Sequence, residues 1–214
     1  MAKSNSPTPR VVIFVARRYN PREFWPTVKC LQEADIEMDI VSTGLVIQSE
    51  EDKSKAHRLE RTVDDLQDVD PKWYSGLMII SGNPKDTENY YTHHTVVHLV
   101  TELHKLKRPL AGICAAVPAL APAVKGRKVS WFPLQKSRNI LVSAGAILTE
   151  VGLSVDGHLI TAENEWVTGL WAAAFRDMVL NKEPYIPKLT PSGLHPKHIP
   201  RKDIPELERL KSKK

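Results

Sequence analysis

Cysteine is scarce: among 214 residues, only Cys30 and Cys114 carry a thiol. Two thiols cannot build a disulfide framework, and their scarcity fits a reducing compartment. Long apolar runs are missing as well. No stretch reaches the roughly 18 uninterrupted apolar residues of a membrane span, and the opening MAKSNSPTPR has no apolar core for a signal peptide. These absences predict a soluble, cytoplasmic protein with no membrane partner. The main body also lacks any excess of charge. The formal net charge is +5, and residues 182–214 hold nine Lys/Arg against four Asp/Glu, so the rest is neutral by formal count. Basic character therefore belongs to a tail, and no nucleic-acid partner is expected.

What is present suffices for one domain of ordinary size with appendages. Hydrophobic residues make up 42% of the chain, enough for a core and too many for disorder throughout. Residues 11–16 (VVIFVA) read as a strand covered on both faces. Asn20, Pro21 and Glu23 read as an N-cap, a first-turn proline and a first-turn acid, opening a helix to about residue 33. Residues 36–41 alternate as a half-exposed strand, and 44–71 are polar, a hairpin or an irregular excursion. A second buried strand over 74–80 ends in the turn signal Ser81-Gly82-Asn83-Pro84. Helical spacing over 92–106 precedes a strand at 110–113, then a helix over about 115–124.

Short strands are expected at 128–131 and 141–142, a hairpin across Asp156-Gly157, and a last helix over 166–180. Strands alternating with helices argue for a parallel sheet wrapped by helices. Ligands in such folds gather beyond the C-terminal strand ends, where residues 17–23, 81–84 and 114–116 should share one rim. Six prolines between Pro184 and Pro205 defeat regular structure. The division is a tail over 1–9, a domain over 10–182 and a basic, proline-rich arm over 183–214 that contributes to self-association.

Cys114 lies where the apolar run PLAGIC (109–114) turns into a helix-like stretch. Such a corner holds an exposed nucleophile in many α/β proteins, and a helix N-terminus there would depress the thiol pKa. Arg17 and Arg18 follow a strand end and are candidates for holding an anionic substrate group. Glu163 and Glu165, near the last strand, are candidate pocket acids. His94 and His98 have the i, i+4 spacing of metal ligands, continued by Glu102, but no further ligand set accompanies them. A solvated polar face is the better account, and no metal or cofactor is expected. Trp166, Trp171 and Cys30 read as packing or subunit-contact residues.

The ordered segments YSGLMIISG (74–82), RPLAGIC (108–114), KGRK (125–128), SAGA (143–146) and VDGHLIT (155–161) resemble the ThiJ/PfpI superfamily, a glutamine-amidotransferase-like group, over about residues 10–182. The resemblance implies a flavodoxin-like three-layer α/β sandwich, mostly parallel, with Cys114 on a nucleophile elbow and Glu23 as its carboxyl partner. It implies an oxyanion hole from the backbone amides of Gly82, Asn83 and Ala115. Homodimers or higher homo-oligomers are common in this group. The departures concern histidine. Ala115 stands where peptidase-type members have one, Trp131-Phe132-Pro133 lacks the one of deglycase-type members, and residues 161–165 offer acids only. Two functions follow. One is a cysteine-dependent hydrolase, lyase or glyoxalase/deglycase-like enzyme acting on a small carbonyl or amide. The alternative is a non-catalytic thiol redox sensor, stress-response or small-ligand-binding protein.

Overall fold

A computed structural model describes residues 8–185. In chain order they form β1 (Arg10–Val15), β2 (Arg18–Tyr19), α1 (Pro21–Gln32), β3 (Glu37–Ser42), β4 (Val46–Ser49), β5 (Ala56–Arg58), β6 (Arg61–Thr62) and β7 (Gly76–Ile80). Next come α2 (Pro84–Glu88), α3 (His94–Lys105), β8 (Leu110–Ile113), β9 (Lys128–Val129), α4 (Gln135–Ser143), β10 (Ile147–Leu148), β11 (Leu153–Asp156), β12 (Leu159–Ala162) and α5 (Thr168–Val179). The central sheet has seven strands in the order β11-β12-β8-β7-β1-β3-β6. Every neighbouring pair is parallel except β11 with β12, the hairpin that turns at Gly157. The fold is thus a mostly parallel α/β sandwich of flavodoxin-like type.

The physical reason lies in β1. Val11 through Val15 are fully buried, because alternate side chains enter two different cores. Val11, Ile13 and Val15 join α1 and α5 through Phe24, Leu31, Trp171 and Phe175. Val12 and Phe14 join the α3 side through Val96, Leu99 and Leu103. Each such side chain withdrawn from water stabilises the fold by roughly 1.5–3 kcal/mol, which is why a run without polar alternation must be central. Asn20 caps α1 as its sequence demands, its side-chain oxygen accepting from the Arg22 amide at 3.0 Å with Pro21 in the first turn.

Three expectations need correction. The segment after Cys114 is a 3-10 helix over Cys114–Ala123. Pro118 and Pro122 each remove an amide donor that an α-helix would use, and the tighter turn tolerates the loss. Residues 141–142 belong to α4: Ser137 and Leu141 are its buried residues, one turn apart. The strand expected over 128–131 is only β9, paired with β10 in a separate small sheet. The polar excursion after Gly44 is organised by β4 and β5, an antiparallel pair carrying β2 on its edge. Most of the proline-rich arm, from residue 186 onward, lies outside the described residues, as do residues 1–7 of the N-terminal tail.

Candidate functional site

Cys114 has φ of 54°, left-handed backbone that a side chain rarely adopts. Asp35, Lys107 and Asn181 share such a φ, but each lies just past the C-terminus of α1, α3 or α5, where that conformation ends helices. Among the described non-glycine residues, Cys114 alone adopts it directly after a strand. Such a residue stores on the order of 1–3 kcal/mol of strain and persists only where its surroundings enforce it. Gly112 enforces part of this: a Cβ there would lie 2.9 Å from Leu120 Cδ1 and 3.2 Å from Val117 Cα. The returning 3-10 helix therefore packs directly on β8, and the elbow is tight.

The opposite wall comes from the start of α1. Gly82 lets the chain at Arg18 and Tyr19 press against β7's exit, since a Cβ there would meet the Arg18 carbonyl oxygen at 2.0 Å. Two backbone bonds clip the segments together. The Asn83 amide donates to the Arg18 carbonyl at 2.7 Å, and the Asn20 amide donates to the Ser81 carbonyl at 3.1 Å. The first turn of α1 is thereby held over the ends of β7 and β8. Glu23 points into it, fully buried.

The Glu23 carboxyl is bonded to Ser81 and Asn20. Ser81 Oγ lies 2.7 Å from Oε2 and 2.9 Å from Oε1, and the Ser81 amide donates to Oε2 at 2.9 Å. Asn20 Nδ2 donates to Oε1 at 3.3 Å. Burial pushes the Glu23 pKa up to about 8, with the Ser81 bonds opposing and the charges of Glu165 and Glu50 adding to the rise. Glu23 is therefore mostly a neutral acid at pH 7. Cys114 is half-buried. Its thiol is shifted well above the ordinary cysteine value, first by burial and then by the neighbouring Glu23 carboxyl. Hydrogen bonds from the Ser81 hydroxyl and the Ala115 amide to the sulfur work the other way. The direction of this shift is opposite to the depressed pKa expected at a helix N-terminus. A 3-10 turn interrupted by prolines offers the sulfur one amide, too little to offset burial beside a carboxyl.

The amides expected to hold an oxyanion differ in state. Ala115 N–H faces the sulfur. The Asn83 amide is already given to Arg18, and the Gly82 amide donates to Thr87 Oγ1 at 3.2 Å. Two of the three amides therefore already have acceptors in this structure. Arg18 is also committed elsewhere, donating to Asp86 at 2.7 Å and to Asn83 Oδ1 at 2.9 Å. With Arg17, Val46, Gln48 and Asp86 it lines a cavity of about 370 Å³ whose lining does not include Cys114. Glu165 lies close enough to Cys114 and Glu23 to act on both electrostatically. It opens a short 3-10 helix capped by Asn164, next to the half-exposed Trp166, whose ring lies 5.9 Å from the Arg22 guanidinium. Glu163 is buried at the end of β12.

The described histidines lie in other surroundings. His93 pairs with Asp64, His104 with His158 at 2.9 Å, and His57 packs among Tyr19 and Trp25. His94 and His98 are exposed. Among the described residues there is no group of three or more His, Cys, Asp and Glu placed to hold a metal ion, and no helix long and apolar enough to cross a membrane. Cys30 is half-buried on α1, with Arg176 Nη1 3.9 Å from its sulfur. Sequence reasoning missed Ser81, which reads there as the first residue of a turn. The available signal was positional: a hydroxyl immediately after the strand that neighbours the cysteine's own.

Comparison with known proteins agrees with the fold. A protein of Archaeoglobus fulgidus described only as uncharacterized is 30% identical over 156 residues, 72% of this chain and 88% of its own length. The ThiJ/PfpI domain protein of Brachyspira murdochii superposes with a TM-score of 0.70 at 16% identity, covering 81% of this chain and 97% of its own. Drosophila melanogaster DJ-1beta superposes with a TM-score of 0.69 at 16% identity, covering 82% and 92%. The DJ-1/PfpI family model matches residues 9–173, and the chain belongs to the DJ-1/PfpI family.

Proposed function

We propose that this protein is a glyoxalase- or deglycase-like enzyme that acts on small reactive carbonyl compounds through Cys114, with Glu23 moving the proton. The observation that carries this reading is the buried Glu23 beside a strained elbow cysteine, with the described histidines elsewhere. Amide cleavage needs a base to raise the thiolate and an acid for the departing amine. Addition to an aldehyde needs neither a leaving group nor a strong base. The sulfur bonds to the carbonyl carbon, the neutral Glu23 gives its proton to the carbonyl oxygen, and the carboxylate so formed takes the proton of the thiol, giving a hemithioacetal. Glu165, which acts on the thiol electrostatically, disfavours substrates with a negative charge next to the carbonyl. The half-exposed Trp166, which follows Glu165 directly, offers an apolar face to an uncharged one.

Assaying methylglyoxal, glutamine and casein side by side tests the reading. Turnover is expected on methylglyoxal only and should vanish in Cys114→Ala. Robust casein or glutamine cleavage abolished by Cys114→Ala would sink it. The engagement of the Gly82 and Asn83 amides favours a second reading, a non-catalytic thiol sensor or small-ligand-binding protein. Silence on all three substrates selects that one.

A further inference from the structure

Parallel pairing of β7 with β8 matches Leu77 with Leu110, Met78 with Ala111 and Ile79 with Gly112. Two residues further along, the same register brings Ser81 beside Cys114. Ser81 is 2% exposed, so its hydroxyl is shielded from bulk water. That hydroxyl reaches two groups, the Glu23 carboxyl at 2.7 and 2.9 Å and the Cys114 sulfur. A serine hydroxyl has one hydrogen to donate, so it can serve only one anion at a time, while its oxygen accepts from the other partner.

We propose that Ser81 is a positioning residue that relays the proton between Cys114 and Glu23. The inference rests on Cys114 being the reactive thiol of the proposed function. When the pair holds a single proton, the sulfur passes its proton to Ser81 Oγ while the hydroxyl passes its own to Glu23 Oε1. One S–H and one O–H bond break, and two O–H bonds form, one on Ser81 and one on Glu23. Thiol and carboxylate become thiolate and carboxylic acid, with no change in total charge and no further reactant. Oε1 suits the incoming proton, because Oε2 is held by the Ser81 amide at 2.9 Å while Oε1 receives only the longer 3.3 Å bond from Asn20. The new hydroxyl hydrogen then points at the thiolate and stabilises it.

Alkylation of the full chain with iodoacetamide, in a Cys30→Ser background from pH 6 to 10, reads this directly. The parent should show two steps. The first accompanies loss of the Glu23 proton near pH 8 and yields a shoulder from transfer within the pair; the second is ionisation of the thiol itself. Ser81→Ala and Glu23→Gln should each lose the shoulder, with Ser81→Ala slowed about tenfold at pH 8.5. Ser81→Thr, which keeps the hydroxyl, should retain it. A single-step parent profile overturns the proposal. So does a Ser81→Ala profile that superimposes on the parent's, or a shoulder lost equally from the Ala and Thr variants. Thermal melts accompany each variant, and Ser81→Gly replaces Ser81→Ala if the latter does not fold. A Cys114 that labels no faster than the Cys30 of a Cys114→Ser protein would instead fail the nucleophile reading, whereas missing turnover leaves this test intact.

Discussion

Glu23 holds its proton because burial has removed water from around it and the charges of Glu165 and Glu50 disfavour a further negative one. Its folded pKa of about 8 stands above the ordinary value of 4.5, so the folded state binds more protons than the unfolded state between those two pH values. The sign follows: the stability linked to this group is fully present below about pH 4.5 and is lost as pH rises through about 8. Cys114, also raised, adds a loss in the same direction at higher pH. Glu23→Gln keeps the shape, accepts from the Ser81 amide and cannot ionise. Urea unfolding at pH 5, 7 and 9 should show the parent weakening relative to Glu23→Gln by on the order of a few kcal/mol at the top of the range. Equal losses in both proteins would mean that Glu23 is not held as a buried neutral acid.

At the scale of elements, the elbow depends on close packing between β8 and the 3-10 helix that follows it. Gly112→Ala places a methyl 2.9 Å from Leu120 Cδ1 and 3.2 Å from a backbone carbon. The side chain can turn away but the backbone must move, so a loss of about 1–3 kcal/mol is expected, with slower Cys114 alkylation as the elbow shifts. Gly169 in α5 has nothing within 4 Å of an added Cβ, and Gly169→Ala should stabilise by about 0.5–1 kcal/mol. Thermal unfolding of the two variants checks both signs. The same packing explains what was legible in the sequence. β1 announced itself because both its faces are buried, and α1 because Asn20, Pro21 and Glu23 satisfy a helix start locally. α4 did not, since only Ser137 and Leu141 of its nine residues are buried and no apolar stripe marks it. The 3-10 helix was misread because prolines among alanines and leucines decide helix type by lost hydrogen bonds, which an apolar pattern does not show. Ser81 escaped because its partners come from α1 and β8, and only the assembled sheet sets them side by side.

At the scale of the whole molecule, the fold gathers α1's first turn, the exit of β7, the elbow after β8 and the helix after β12 at one end of a parallel sheet. Both core clusters draw their fully buried residues from between Val11 and Val179, with Leu180 packed against one of them. The last helix is closed locally by the Lys182 amide donating to the Asp177 carbonyl at 2.7 Å. The described body of the protein therefore carries a core of its own. A chain ended after Tyr185 should keep its far-UV circular dichroism and melt within about 5 °C of the full chain, a shift worth roughly 1–2.5 kcal/mol in a domain of this size. The proline-rich arm is expected to matter for self-association, because proline's restricted φ lowers the conformational entropy lost when such a segment docks. Light scattering on the two chains should then show the shortened one at a smaller oligomeric state. A drop in melting temperature beyond about 10 °C with the oligomeric state unchanged would place the arm in the core of its own subunit and refute this division of the chain.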